Sequence, residues 1–214
     1  SAIPLQELAK KAAVSVSVIN KLHQLGKLTL EEITLPSPFR VPDWTSPGPT
    51  LSDEQAIISQ ALSTAVEKKK FEVSLLEGVP GSGKTEVYTE AICKALSMGK
   101  QALVLLPEIA LSAQWLTRFR KRFGCEPLVW HSDLTISQRK LAWRSIIEGR
   151  VQVVVGARSA LFLPFQNLGI VVIDEEHDAS YKQEEGVIYN ARDMGIVRAR
   201  ISDIPVCLVS ATPS

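Results

Sequence analysis

Eight residues, Gly-Val-Pro-Gly-Ser-Gly-Lys-Thr at 78–85, restrict the fold of this chain more than any other stretch. The spacing G-x-x-x-x-G-K-T is that of a phosphate-binding P-loop, in which successive backbone N–H groups turn inward around an anion. Gly78, Gly81 and Gly83 permit that turn, Ser82 completes the loop, Lys84 brings a charge to the outer phosphates, and the Thr85 hydroxyl is a Mg²⁺ ligand. An apolar strand at 73–77 precedes the loop and a helical run follows it, so the helix dipole adds to the same anion site. ATP or GTP binding follows from the motif in that context.

Downstream, short apolar runs at 102–106, 128–130, 151–156, 170–174 and 206–210 alternate with helical segments at 85–98, 110–123, 137–147 and 191–201. Fully apolar strands separated by helices predict a mostly parallel α/β sheet covered on both faces. Gly99 and Gly124 stand where two of the helices should stop. Ligands of such a sheet collect at the carboxyl ends of its strands. Asp174-Glu175-Glu176-His177 follows one of them, and a strand neighbouring that of the P-loop is expected to carry it. In that position Asp174 suits a second Mg²⁺ contact and Glu175 can polarise an attacking water. Ser210 and Thr212 follow the last strand as a candidate coupling element, and Arg158 and Ser159 follow another as phosphate contacts of a nucleic-acid strand. Between 178 and 193, Tyr181, Lys182, Tyr189 and Arg192 mix aromatic and basic groups, as single-strand binding surfaces do. Gln55 has two readings, a capping box with Ser52 or an adenine contact.

Ahead of this domain, residues 4–33 carry two short helical patterns. Val18, Leu22 and Leu25 share one helical face, Gly26 is a stop, and residues 27–35 read as a strand of a wing. DNA contact through the second helix and a plain docking role both remain open. Five prolines between 36 and 49 predict a stiff linker, with Trp44 placed to pin it. The expected organisation is a winged-helix or helix-turn-helix domain over 1–35 (open to truncation at Ser1), a proline-rich linker over 36–50, and the nucleotide-binding lobe over 51–214.

The chain has a net charge of +1, so no global field points to nucleic acid. Three scattered cysteines make neither a disulfide framework nor a zinc site and suit a reducing cytoplasm. No apolar run reaches membrane-spanning length. Opening on Ser-Ala-Ile and stopping after a strand, the chain reads as a piece of something longer.

The segments 78–88, 106–114, 156–163, 174–177, 180–193 and 210–214 together resemble the PriA family of bacterial primosomal replication-restart helicases in superfamily 2. Gly-Ala-Arg-Ser-Ala at 156–160, Asp-Ala-Ser-Tyr-Lys-Gln at 178–183 and Tyr-Asn-Ala-Arg-Asp at 189–193 are the specific part of the likeness. The resemblance implies a RecA-like first motor lobe of an ATP- and Mg²⁺-dependent 3′→5′ DNA helicase, in a bacterial cytoplasm. Single-stranded and forked DNA are its implied substrates, with single-stranded-DNA-binding protein and primosome proteins as partners and no membrane. It assigns Gln55 to adenine, Lys84 and Thr85 to phosphate and Mg²⁺, and Asp174 and Glu175 to metal and catalytic base. Ser210 and Thr212 become the coupling motif, and 180–193 the aromatic-rich loop. Pro80 departs from the family's usual threonine and removes one N–H from the loop. The family's second motor lobe, with an arginine finger and a zinc region, falls beyond Ser214, so this chain is expected to bind ATP with little turnover. Two other classes stay in view: an ATP-sensing transcription regulator, and a P-loop kinase or transporter ATPase.

Overall fold

A computed structural model describes residues 3–31, 39–107 and 113–211. The chain divides into two compact units, residues 1–36 and 37–214.

In the first unit, helices α1 (Leu5–Lys11) and α2 (Val16–Gln24) form with Ser15 at the N-cap and Gly26 in the left-handed region (φ 68°) just past the second helix. The Ser15 hydroxyl bonds Ser17 Oγ and makes no capping bond. The buried residues are Ala9 and Ile19, whereas Val18, Leu22 and Leu25 are exposed, a different face from the expected one. Ile19, next in sequence to Val18 and so on a different side of the helix, is the residue that turns inward. Residues 27–31 carry no strand, and the rest of the expected wing lies outside the described residues.

The second unit is built on six parallel strands: β1 (Glu72–Glu77), β2 (Gln101–Leu105), β3 (Leu128–Trp130), β4 (Val153–Gly156), β5 (Leu168–Ile173) and β8 (Pro205–Ser210), in the order β1-β8-β5-β2-β4-β3. Helices α3 (Asp53–Lys68), α4 (Lys84–Ser97), α5 (Ala113–Phe123), α6 (Ile136–Ile147) and α7 (Ala191–Ile201) flank it. A two-stranded hairpin, β6 (Lys182–Gln183) and β7 (Tyr189–Asn190), stands apart from the sheet. Every residue of β2, β4 and β5 is buried, as strands covered on both faces require. Contrary to expectation, the strand leading to Asp174 is not beside the P-loop strand: β8 lies between β1 and β5, in parallel register with both.

Two local choices set the helices around the site. Ser52 and Gln55 make a complete capping box, with the Ser52 hydroxyl accepting from Gln55 N and Gln55 Oε1 accepting from Ser52 N at 2.8 Å. On α5, Trp115, Phe119 and Phe123 recur every fourth residue, their rings stacked or tilted on one another at 5.5 and 4.4 Å, and this buried stripe seats the helix on α4. The segment before α3 is held by Arg122 of α5, whose guanidinium donates to Ser46 O, and by Asp43 N donating to Phe123 O. Trp44, expected to pin it, is exposed. At the amino-terminal end of the interior strand β2 the buried Gln101 amide donates to Ile146 O and Val151 O and accepts from Asn167 N, so polar burial there is a structural tie.

Candidate nucleotide site

A cleft of about 630 Å³ opens at the carboxyl ends of β1 and β5, lined by Pro49, Leu51, Gln55, the loop 80–85, Glu86, Arg118, Asp174 and Glu175. Two stretches some ninety residues apart in sequence thus share one wall-to-wall space.

The loop side is backbone chemistry. Gly83 has φ 83°, and a Cβ there would lie 2.5 Å from Gln55 Nε2, so only glycine fits. Gln55 Nε2 donates to Ser82 O at 2.8 Å, tying α3 to the loop. Its carboxamide therefore caps α3 and holds the loop together, and one N–H and one lone pair stay available to a base. Lys84 Nζ donates to Gly78 O (2.6 Å) and Val79 O (3.2 Å), folding its charge over the loop. Behind the loop, Gly78 N donates to Ser210 O at 3.2 Å, and the buried Ser210 hydroxyl pairs with His177 Nδ1 at 2.9 Å. Ser210 therefore touches both the P-loop backbone and the acidic segment, while Thr212 lies outside the described residues.

The carboxylate side is side-chain chemistry. Asp174 is 8% exposed, and burial, opposed by its hydrogen bonds, raises its carboxyl above the ordinary range. Its Oδ2 accepts from Tyr88 OH at 2.9 Å, its Oδ1 from Glu175 N at 3.0 Å, and its carbonyl oxygen from Tyr181 OH at 2.6 Å. Trp115 Nε1 donates in turn to Tyr88 OH at 2.8 Å. Burial, with the Asp174 charge adding, keeps the Tyr88 phenol protonated far above its usual range. Glu175 sits at φ 50°, a left-handed backbone uncommon for a residue with a Cβ, and its carboxylate lies 3.8 Å from His177 Nε2. Buried Glu176 accepts from Arg192 Nη1 at 3.0 Å.

The residues expected to meet nucleic acid gather elsewhere. Arg158 opens a short 3₁₀ helix (Arg158–Phe162) and donates to Lys182 O at 2.8 Å; Phe162 meets the Tyr189 ring edge-on at 5.3 Å. These contacts join the 3₁₀ helix to the β6–β7 hairpin. Ser159 accepts from Trp130 Nε1, and exposed Lys182 pairs with Glu184. Tyr181 corrects the expectation of an exposed stacking ring: at 1% exposure, with its hydroxyl spent on Asp174, it is part of the carboxylate's support. Arg192 likewise is engaged by Glu176 and Asp193. Tyr88 and Trp115 were not foreseen; the one signal for Tyr88 is its place a single turn after Thr85 on the P-loop helix.

Among the described residues no helix is long and apolar enough to cross a membrane, and no cluster of three or more His, Cys, Asp or Glu is placed to hold a metal. The hard oxygens of Thr85 and Asp174 are nevertheless the donor set that Mg²⁺ takes when phosphates and water complete its shell.

Residues 55–214 match the DEAD/DEAH box helicase family model. The chain is 48% identical over 200 residues to the replication restart protein PriA of Rickettsia felis, covering 92% of this chain and 30% of that protein. Against PriA of Bacillus subtilis the identity is 45% over 215 residues, 99% of this chain and 27% of the relative. The chain thus spans about a third or less of the curated relatives it matches. Among solved structures, RecG bound to a three-way DNA junction aligns with a TM-score of 0.60 at 23% identity, over 83% of this chain and 24% of that one. The helicase domain of Pyrococcus furiosus Hef aligns at 0.55 and 20% identity, over 82% and 35%. These two likenesses concern the fold.

Proposed function

The chain belongs to the DEAD/DEAH box helicase family, and from that premise we propose that it is the ATP-binding first motor lobe of a DNA helicase that restarts stalled replication forks. The observation that carries the reading is the single cleft in which Lys84, Thr85, Asp174 and Glu175 face one another. The 45–48% identity to replication restart proteins supports the biological setting. The organisation proposed is a helix-turn-helix unit, a proline-rich linker and a motor lobe, in a bacterial cytoplasm, with no membrane role.

In this reading the loop amides and Lys84 hold the β- and γ-phosphates of ATP. Thr85 and Asp174 hold Mg²⁺, which when bound neutralises charge on those phosphates. Glu175 orients a water for in-line attack on the γ-phosphorus and accepts its proton, as the bond to the β-phosphate oxygen breaks and ADP leaves. Gln55 keeps the loop attached to α3 and offers its remaining valences to the adenine. Ser210 and His177 link the loop to the acidic segment, and Thr212 extends that link. Arg158, Ser159, Lys182 and Tyr189, gathered on the 3₁₀ helix and hairpin, form the contact surface for single-stranded and forked DNA. Zinc belongs to a part of the protein outside this chain, and single-stranded-DNA-binding protein and primosome proteins are its partners. Translocation runs 3′→5′. Hydrolysis by this chain alone is slow, because an arginine finger supplies about 10³–10⁵ in rate in enzymes of this chemistry and the reading places it in a second lobe.

The test is ATP hydrolysis by the full-length protein with single-stranded, forked and duplex DNA. Strong stimulation by forks, abolished by Lys84→Ala, is the expected result. Hydrolysis indifferent to DNA would contradict the proposal, and preference for one duplex sequence would favour a regulator.

A further inference from the structure

Asp174 does not reach the cleft as a free carboxylate. Its Oδ2 is met by a phenol from α4 that is itself met by an indole from α5: Trp115 Nε1 to Tyr88 OH at 2.8 Å, and Tyr88 OH to Asp174 Oδ2 at 2.9 Å. All three side chains are buried, with Tyr88 at 0% exposure. An indole nitrogen can only donate, so the Trp115 proton must point at the Tyr88 oxygen. The one phenolic proton is then left for Asp174, and the polarity of the chain is fixed without reference to any assigned hydrogen. With the Trp115 indole and the Thr85 hydroxyl also at the Tyr88 oxygen, a phenolic proton turned away from Asp174 would leave the buried Oδ2 without that donor. Meanwhile Oδ1 is held by Glu175 N at 3.0 Å, so both carboxylate oxygens have one fixed donor and the plane of the group is set. Tyr88 also lies one turn after Thr85 on the same helix, which puts the other proposed metal ligand on the same rigid element.

We propose that Tyr88 is a positioning residue for the metal site, holding the Asp174 carboxylate in the orientation that serves a divalent cation, with Trp115 fixing the direction in which Tyr88 donates. The inference rests on the reading of Asp174 as a Mg²⁺ contact. It predicts that the metal-dependent part of nucleotide binding is sensitive to a single hydroxyl that touches neither nucleotide nor metal.

The probe is a fluorescent ATP analogue titrated into the 214-residue chain with Mg²⁺ and with EDTA, and the readout is the ratio of the two affinities. Tyr88→Phe keeps the ring and deletes the hydroxyl. The expected result is a ratio lowered about tenfold, the scale of one hydrogen bond to a charged group, with a thermal melt showing a single cooperative transition. A purely structural role would weaken both affinities together and leave the ratio at the wild-type value, which would overturn the proposal. Trp115→Phe supplies the second arm, since it removes the polarity-setting donor, together with part of the ring, while Tyr88 keeps its hydroxyl for Asp174. A ratio between those of wild type and Tyr88→Phe is expected, and a loss larger than that of Tyr88→Phe would overturn the assigned direction. Should wild type itself bind equally well with Mg²⁺ and with EDTA, the metal reading beneath the inference falls. A wild-type gain retained in full by Tyr88→Phe would remove the positioning role alone.

Discussion

The two walls of the cleft are made in opposite ways. The phosphate wall hangs from β1, an edge strand in which Val73 and Leu75 are exposed, and its work falls to glycines, backbone amides and one lysine. The carboxylate wall hangs from β5, buried over its whole length, and Asp174 is fixed by hydroxyls from Tyr88 and Tyr181. A loop of amides needs only the right backbone conformations, so a short local sequence can specify it on a lightly packed edge. A buried carboxylate must be desolvated and re-paired group by group, and the groups that do so come from wherever the packing brings them. The centre of the sheet is therefore where precise side-chain placement belongs, and the edge is where a mobile ligand can be gripped.

If the centre of the sheet is tightly packed and its β1 edge is not, probes of the two should respond very differently. Burial pushes the thiols of Cys93 and Cys207 up to about 12. With so little thiolate present at pH 8, each should react with a thiol reagent about 10³-fold more slowly than a free cysteine. Denaturant should restore ordinary rates, and fast labelling of the native chain would mean the interior is looser than described. Ile173→Ala, at 0% exposure and packed where a Cβ on Gly195 would meet its Cδ1 at 2.6 Å, should cost about 2–5 kcal/mol in a denaturant titration. Tyr181→Phe removes a buried donor from the Asp174 carbonyl and should cost about 1–2 kcal/mol. Ser52→Ala breaks the capping box of α3 and should cost about 1 kcal/mol. Leu75→Ala on exposed β1 should stay within about 0.5 kcal/mol. Equal losses for Ile173→Ala and Leu75→Ala would erase the distinction between centre and edge.

Much of this was legible in the sequence, and the reasons differ by wall. The P-loop, the six strands and the capping box of Ser52 and Gln55 are written in contiguous residues whose spacing carries the physics. Asp174 and Glu175 announce themselves by following an apolar strand, and Gly99 and Gly124 by ending helices in the left-handed region. The position of β8 between β1 and β5 was not legible, because strand order depends on crossovers that no local pattern records. Tyr88 and Trp115 look like ordinary core aromatics until the fold places their polar atoms in line with Asp174. Tyr181 misleads for a related reason: an aromatic among charged neighbours resembles a stacking surface, yet the 3₁₀ turn at Ala179–Tyr181 rotates it inward. In α2 the periodic Val18, Leu22 and Leu25 mark a face that stays exposed, whereas Ile19 does the burying.

The most direct test of the account is a crystal structure of this chain with a non-hydrolysable ATP analogue and Mg²⁺. The triphosphate is expected against the amides of 81–85, with Lys84 Nζ swung from Gly78 O to the outer phosphates. Metal density is expected about 2.0–2.1 Å from the Thr85 hydroxyl and facing Asp174 directly or through one water. A nucleotide seated instead in the neighbouring cavity of about 460 Å³ between Pro47, Trp115 and Phe119, with Asp174 facing no metal, would contradict the account.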